Sequence, residues 1–208
     1  MKLWRNAARG ATLGGATSIT RYMLLAATAL SGCWLPVGVP AERVERAQQL
    51  VDEGTEALRE RRFSAAQVKF SLAYDLAPLT AALDGQGCVA LLRGEYQRAE
   101  ELFKEALASD ASYDRALANL ALLYDVTGRS SEARELYDRF LEQEPEEATV
   151  RNNRAALAYD LSADGEWVGD ELSKASLLVD DGVVIGNLKL VGRIPEERHD
   201  KESDQGTK

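Results

Sequence analysis

Histidine and cysteine are almost missing from this chain: its 208 residues include one histidine and two cysteines. The histidine, His199, stands between Arg198 and Asp200 in a polar C-terminal stretch, where nothing would hold a Ser-His-Asp or Cys-His arrangement in place. No C-x-x-C, H-E-x-x-H, G-x-x-x-x-G-K or strand-then-G-x-G-x-x-G pattern occurs, so the sequence points to no catalytic residue, no metal ligand and no nucleotide loop. The acidic clusters Glu144-Pro145-Glu146-Glu147 and Asp180-Asp181 lack calcium-loop spacing and read as helix termini and turns. Basic charge is also scarce. The chain has 25 Lys and Arg against 34 Asp and Glu, a formal net charge of −9, and lacks the basic stripe by which nucleic-acid binders announce themselves. The most apolar leading run, Met23 to Ser31, is far too short to cross a bilayer as a helix.

That run has a different meaning. Lys2, Arg5, Arg9 and Arg21 precede it with no acidic residue among them, the composition of an export signal over residues 1–32. Directly after it come Leu30, Ser31, Gly32 and Cys33, which resemble the lipobox of bacterial lipoproteins. The resemblance implies that the Cys33 thiol receives a diacylglycerol, that the chain is cut before it, and that the new amino terminus is acylated. Two or three acyl chains suffice for stable anchoring, and no cofactor beyond this covalent lipid is implied. Trp34, in place of an aspartate, resembles the sorting context of outer-membrane lipoproteins, so the expected location is the outer membrane, facing the periplasm. Residues 33–42, with Pro36 and Pro40, form a short stiff linker. Cys88 is then left alone, no internal disulfide is expected, and it reads as a small packed residue.

From about Arg43 a phrase recurs: Phe63, Ala66, Phe70 and Ala73; Tyr96, Ala99, Phe103 and Ala106; Ser130, Ala133, Tyr137 and Phe140. The leading alanines are 33 and then 34 residues apart, a period that specifies stacked helical pairs. The small residue lets two helices approach, and the aromatic four positions later fills the gap against the next pair. With Gly94 and Gly128 at turns and Pro78 and Pro145 closing pairs, the pattern resembles the tetratricopeptide repeat. The expected fold is all-α, a right-handed solenoid of antiparallel helix pairs, with three repeats in residues 43–147. Residues 148–194 read as a degenerate fourth repeat and a capping segment. In this fourth repeat, Gly165-Glu166-Trp167 echoes Gly94-Glu95-Tyr96, Glu171-Leu172 echoes Glu101-Leu102, and the turn is longer by about two residues. Residues 182–195 carry two readings: the remnant of a further helix, which is preferred, or a hairpin suggested by β-branched Val183, Val184 and Ile185 after Asp-Asp-Gly. Residues 195–208 are polar enough to stay disordered.

In such arrays the first helix of each pair lines a concave groove. The resemblance assigns groove-facing roles to Asp84 and Leu91 in the second repeat, to Arg115, Asn119, Leu122 and Asp125 in the third, and to Asn152, Asn153 and Tyr159 in the fourth. Asparagine amides can donate to and accept from the backbone of an extended peptide. The basic pattern that family members use to clamp a terminal carboxylate is absent. The expected function is a non-enzymatic adaptor whose partners are proteins of the bacterial envelope, similar in plan to pilotin-like lipoproteins that serve pilus, secretin or motility complexes. A regulator of a cell-wall synthesis or remodelling enzyme is the alternative.

Overall fold

A computed structural model describes residues 38–161, 163–179 and 182–192. Nine helices run through them: α1 Ala41–Arg59, α2 Phe63–Leu76, α3 Thr80–Leu92, α4 Tyr96–Ser109, α5 Asp114–Val126, α6 Ser130–Gln143, α7 Ala148–Asp160, α8 Gly165–Leu178 and α9 Gly182–Leu190. The described part is all-α, and each helix packs mainly on its chain neighbour. Four antiparallel pairs result, with α9 against α8. The first helices of successive pairs also touch (α1 with α3, α3 with α5, α5 with α7), so they form the inner wall of a curved stack.

The turns explain why the pairs begin and end where they do. Arg61, Gly94 and Gly128 adopt left-handed φ values of 59°, 77° and 81°. They occupy the same place in the first three pairs, where the chain reverses between the two helices, a conformation glycine adopts without a Cβ penalty. At the far end of the first pair, Ala77 is extended because it precedes Pro78, and α2 stops there. The fourth pair turns differently. Its connection spans residues 161–164, one residue more than the 127–129 turn and not about two, and Asp164 caps α8 by accepting from the Glu166 N–H at 2.9 Å.

The core is built from the recurring phrase. Ala66, Ala99 and Ala133 are sealed in the core, as are Phe70, Phe103 and Tyr137, and the Phe70 ring sits between Gly54 of its own pair and Gly85 of the next. Each aromatic needs a smaller residue opposite. A Cβ placed on Gly85 would stand 2.4 Å from the Phe70 ring, one on Gly54 2.8 Å, and one on Gly87 2.5 Å from the Phe103 ring. In the fourth pair Val168, Leu172 and Ala175 are fully buried in these slots. Leu172 therefore succeeds Phe103 and Tyr137, and the sequence echo that paired it with Leu102 is one register off. Residues 182–190 are helical: Val184 and Leu188, one turn apart, are buried, which outweighs the strand preference of β-branched Val183, Val184 and Ile185.

Ion pairs tie neighbouring pairs together. Glu100 on α4 receives Lys104 at 2.6 Å, Arg129 at 2.9 Å and the Tyr124 hydroxyl at 2.9 Å, while the Arg129 guanidinium lies 3.7 Å from the Tyr124 ring centroid. The Lys104 bond, joined by those from Arg129 and Tyr124, outweighs desolvation and holds the Glu100 carboxyl at about 2. In the fourth pair Arg151 and Lys174 both pair with Glu171. Burial pushes that carboxyl up, but the two cations overcome it and leave it below the usual range.

Candidate functional site

The inner wall is where the sequence placed the groove, and its residues divide into two sets. Asp84, Asn119, Asn152 and Asn153 are buried, none more than 4% exposed. Three of them bond across neighbouring helices. Asn119 on α5 donates to the Asp84 carboxylate on α3 at 2.8 Å and lies 3.3 Å from the Cys88 sulfur, and Asn187 on α9 donates to Asn152 on α7 at 2.9 Å. Asn152 also donates to Asn153 at 3.3 Å. A buried amide left without a partner costs about 1–3 kcal/mol, so these bonds keep the pairs in register. In this conformation Asp84, Asn119 and Asn152 join helix to helix inside the stack rather than standing open to a ligand, and Asn153 is buried beside Asn152.

The second set keeps accessible surface. Leu91, Asp125 and Tyr159 are half-buried near the C-terminal ends of α3, α5 and α7, each 34 residues from the next. They form a row along the stack. Asp125 accepts from the Tyr137 hydroxyl at 3.4 Å, which links the row to the core. Leu122 is 8% exposed and belongs with the buried residues. Arg115, half-buried at the start of α5, acts electrostatically on Asp84. The amino-acid types alone did not separate the two sets, because an asparagine suits either a groove or a buried rung.

The electrostatics around Asp84 are unusual. Full burial pushes its carboxyl up to about 6 against the opposing pull of Arg115 and the Asn119 bond. The same burial, with the Asp84 charge, pushes the Cys88 thiol well above its ordinary value and holds it as a packed thiol. Among the described residues no group of three or more His, Cys, Asp or Glu could hold a metal ion, and no helix is long and apolar enough to cross a membrane. Cys33 lies outside the described residues.

A stack of helix pairs with a period of 33–34 residues, an inner wall of first helices and an aromatic between pairs defines a class of protein-binding scaffold. Residues 90–157 match the tetratricopeptide repeat family. No curated protein matches the sequence. Among solved structures, the chain is similar to Pseudomonas aeruginosa pilF, with a TM-score of 0.64 and 20% identity over 72% of this chain and 69% of that one. It is also similar to a tetratricopeptide repeat protein from Parabacteroides merdae, with a TM-score of 0.54 and 18% identity over 71% of this chain and 59% of the other. A third is the first such domain of Spaghetti (RPAP3), solved with the HSP90 peptide SRMEEVD, with a TM-score of 0.52 and 19% identity over 58% of this chain and 96% of that one. At these identities the likeness is one of fold. The fold is a tetratricopeptide-repeat solenoid, one suited to binding protein partners.

Proposed function

We propose that this chain is a non-enzymatic adaptor, anchored to the bacterial outer membrane by lipid on Cys33 and facing the periplasm. Its inner wall docks a protein of an envelope assembly machine of the pilus, secretin or motility kind. The observation that carries the docking surface is the row of Leu91, Asp125 and Tyr159, which recurs every 34 residues and stays accessible while the neighbouring polar side chains are spent on contacts within the stack. An apolar, an acidic and an aromatic contact at repeat spacing suit an extended segment laid along the wall. The anchor rests on the order of basic leader, apolar run and Leu30-Ser31-Gly32-Cys33.

The test is affinity capture of the native protein from gently solubilised envelopes, followed by mass spectrometry of the protein and of what accompanies it. An acylated Cys33 terminus with a stoichiometric pilus, secretin or motility component is expected. The double variant Asp125→Lys, Tyr159→Lys should lose that component and keep the lipid. Capture of cell-wall synthases or hydrolases in its place would move the protein to the regulator reading, and an unmodified terminus would refute the anchor.

A further inference from the structure

A second binding feature lies away from this row. Where α6 and α8 begin and α7 ends, a cavity of about 200 Å³ is lined by Arg134 of α6, Arg154, Leu157 and Ala158 of α7, and Trp167 of α8. Arg154 is fixed from two sides. It pairs with Asp138 on α6, and its guanidinium lies 4.6 Å from the Trp167 ring centroid on α8. Stacking and ion pairing restrict the rotamers of a long side chain, so little of its freedom remains to be lost when a ligand arrives. Arg134 is exposed and forms no salt bridge among the described residues. Two guanidinium groups against one carboxylate leave the cavity locally cationic on a chain whose net charge is −9. Leu157 and Ala158 give it an apolar wall.

We propose that this cavity is an acidic-peptide pocket that receives a glutamate or aspartate side chain of the docked protein. The choice follows from chemistry. A guanidinium matches a carboxylate in two parallel hydrogen bonds, and an apolar wall beside an indole accommodates the methylene stem that carries it. A charge pair of this kind contributes mainly to specificity and to the encounter rate. The pocket rests on the protein-binding reading and adds to it the sign and class of the contacting side chain. It also places that contact between the third and fourth pairs, off the row on the inner wall.

The full chain in detergent is panned against a phage-displayed library of random dodecapeptides, and the selected peptides are synthesised and titrated by fluorescence anisotropy. Enrichment in Glu or Asp is expected. Affinity should fall about tenfold or more in Arg134→Glu and Arg154→Gln, fall again as salt is raised, and fall less in Arg134→Lys, which keeps the charge and loses the paired hydrogen bonds. Arg134 is exposed, so its variants should keep the circular dichroism and melting curve of the parent; a binding loss with those unchanged is a loss of the pocket. Selected peptides without acidic enrichment, or acidic ones that bind Arg134→Glu equally well, overturn the pocket. If such peptides lose binding in Asp125→Lys, Tyr159→Lys instead, the inner-wall reading survives. Displacement of the peptides by an equal concentration of glycerol 3-phosphate would assign the pocket to a phosphate and refute the carboxylate. A library that yields no binder refutes the pocket too, while envelope capture still judges the adaptor reading by itself.

Discussion

Replacing Gly85 by alanine should destabilise the stack even though alanine is the better helix former. The new Cβ would lie 2.4 Å from Cε1, 2.5 Å from Cδ1 and 2.6 Å from Cζ of Phe70. Ordinary contact needs about 1 Å more, and Phe70 is 1% exposed, with the same ring edge already against Gly54 of α1. Overpacking of this kind costs about 1–3 kcal/mol, and the gain in helix propensity returns about 1 kcal/mol. The net expectation is a loss of up to about 2 kcal/mol, at roughly 2–4 °C in Tm for each kcal/mol lost. Two comparisons isolate the cause. Gly186, inside α9, has no atom within 4 Å of its would-be Cβ, so Gly186→Ala should gain about 0.5–1 kcal/mol. Phe70→Leu removes the ring edge, so Gly85→Ala combined with Phe70→Leu should lose less than the sum of the two single changes, by about 1 kcal/mol. Urea unfolding followed by circular dichroism measures all four variants. A Gly85→Ala protein as stable as Gly186→Ala, or strict additivity with Phe70→Leu, would show that the aromatic does not fill the gap between pairs as described.

Arg61→Gly should raise the urea midpoint, by about 0.5–1 kcal/mol in stability, because Arg61 holds φ at 59° where the next two pairs use glycine; a lower midpoint would contradict that turn geometry. The pH dependence should carry the mark of Asp84. Its folded pKa of about 6 lies above the unfolded value, so it contributes stability that is present at about pH 4 and lost as the pH rises through about 6. The stability of wild type relative to Asp84→Asn should therefore fall across that window, and parallel pH profiles for the two proteins would refute the buried carboxyl. Cys33→Ala should leave an uncleaved or soluble precursor without label from radioactive palmitate, and normal processing of that variant would remove the lipoprotein reading.

The solenoid was legible because its signal repeats. The alanine and aromatic slots recur at 33 and 34 residues, and packing dictates those residue types whatever the partner. The fourth pair was legible only in outline, since Val168, Leu172 and Ala175 fill the slots with aliphatic residues that resemble any helix, and a one-residue change in the turn shifted the register. For α9 the local preference of Val183, Val184 and Ile185 opposed the answer, and the outcome came from contacts with α7 and α8 that no local window contains. The surface was least legible. Asparagine 119 and tyrosine 159 both lie on inner helices, yet one is a buried link between pairs and the other is accessible, and only the neighbours of each side chain decide which. The cationic cavity gave no sequence signal, because Arg134, Arg154 and Trp167 come from three helices.

The buried amide links also bear on how the chain could change in length. Asp84 and Asn152 stand at one position two helix pairs apart, and Asn119 and Asn187 at the position that faces it, so the Asp84–Asn119 and Asn152–Asn187 bonds are one connector used twice. Loss of the third pair, residues 114–147, would bring Asp84 opposite Asn153 and conserve a polar match. Loss of the fourth would set Asn187 against Ala118 and strand an amide in the interior. The pairs are therefore not interchangeable modules: the fourth and the terminal helix travel as a unit, while the third can be dropped by recombination with the least damage.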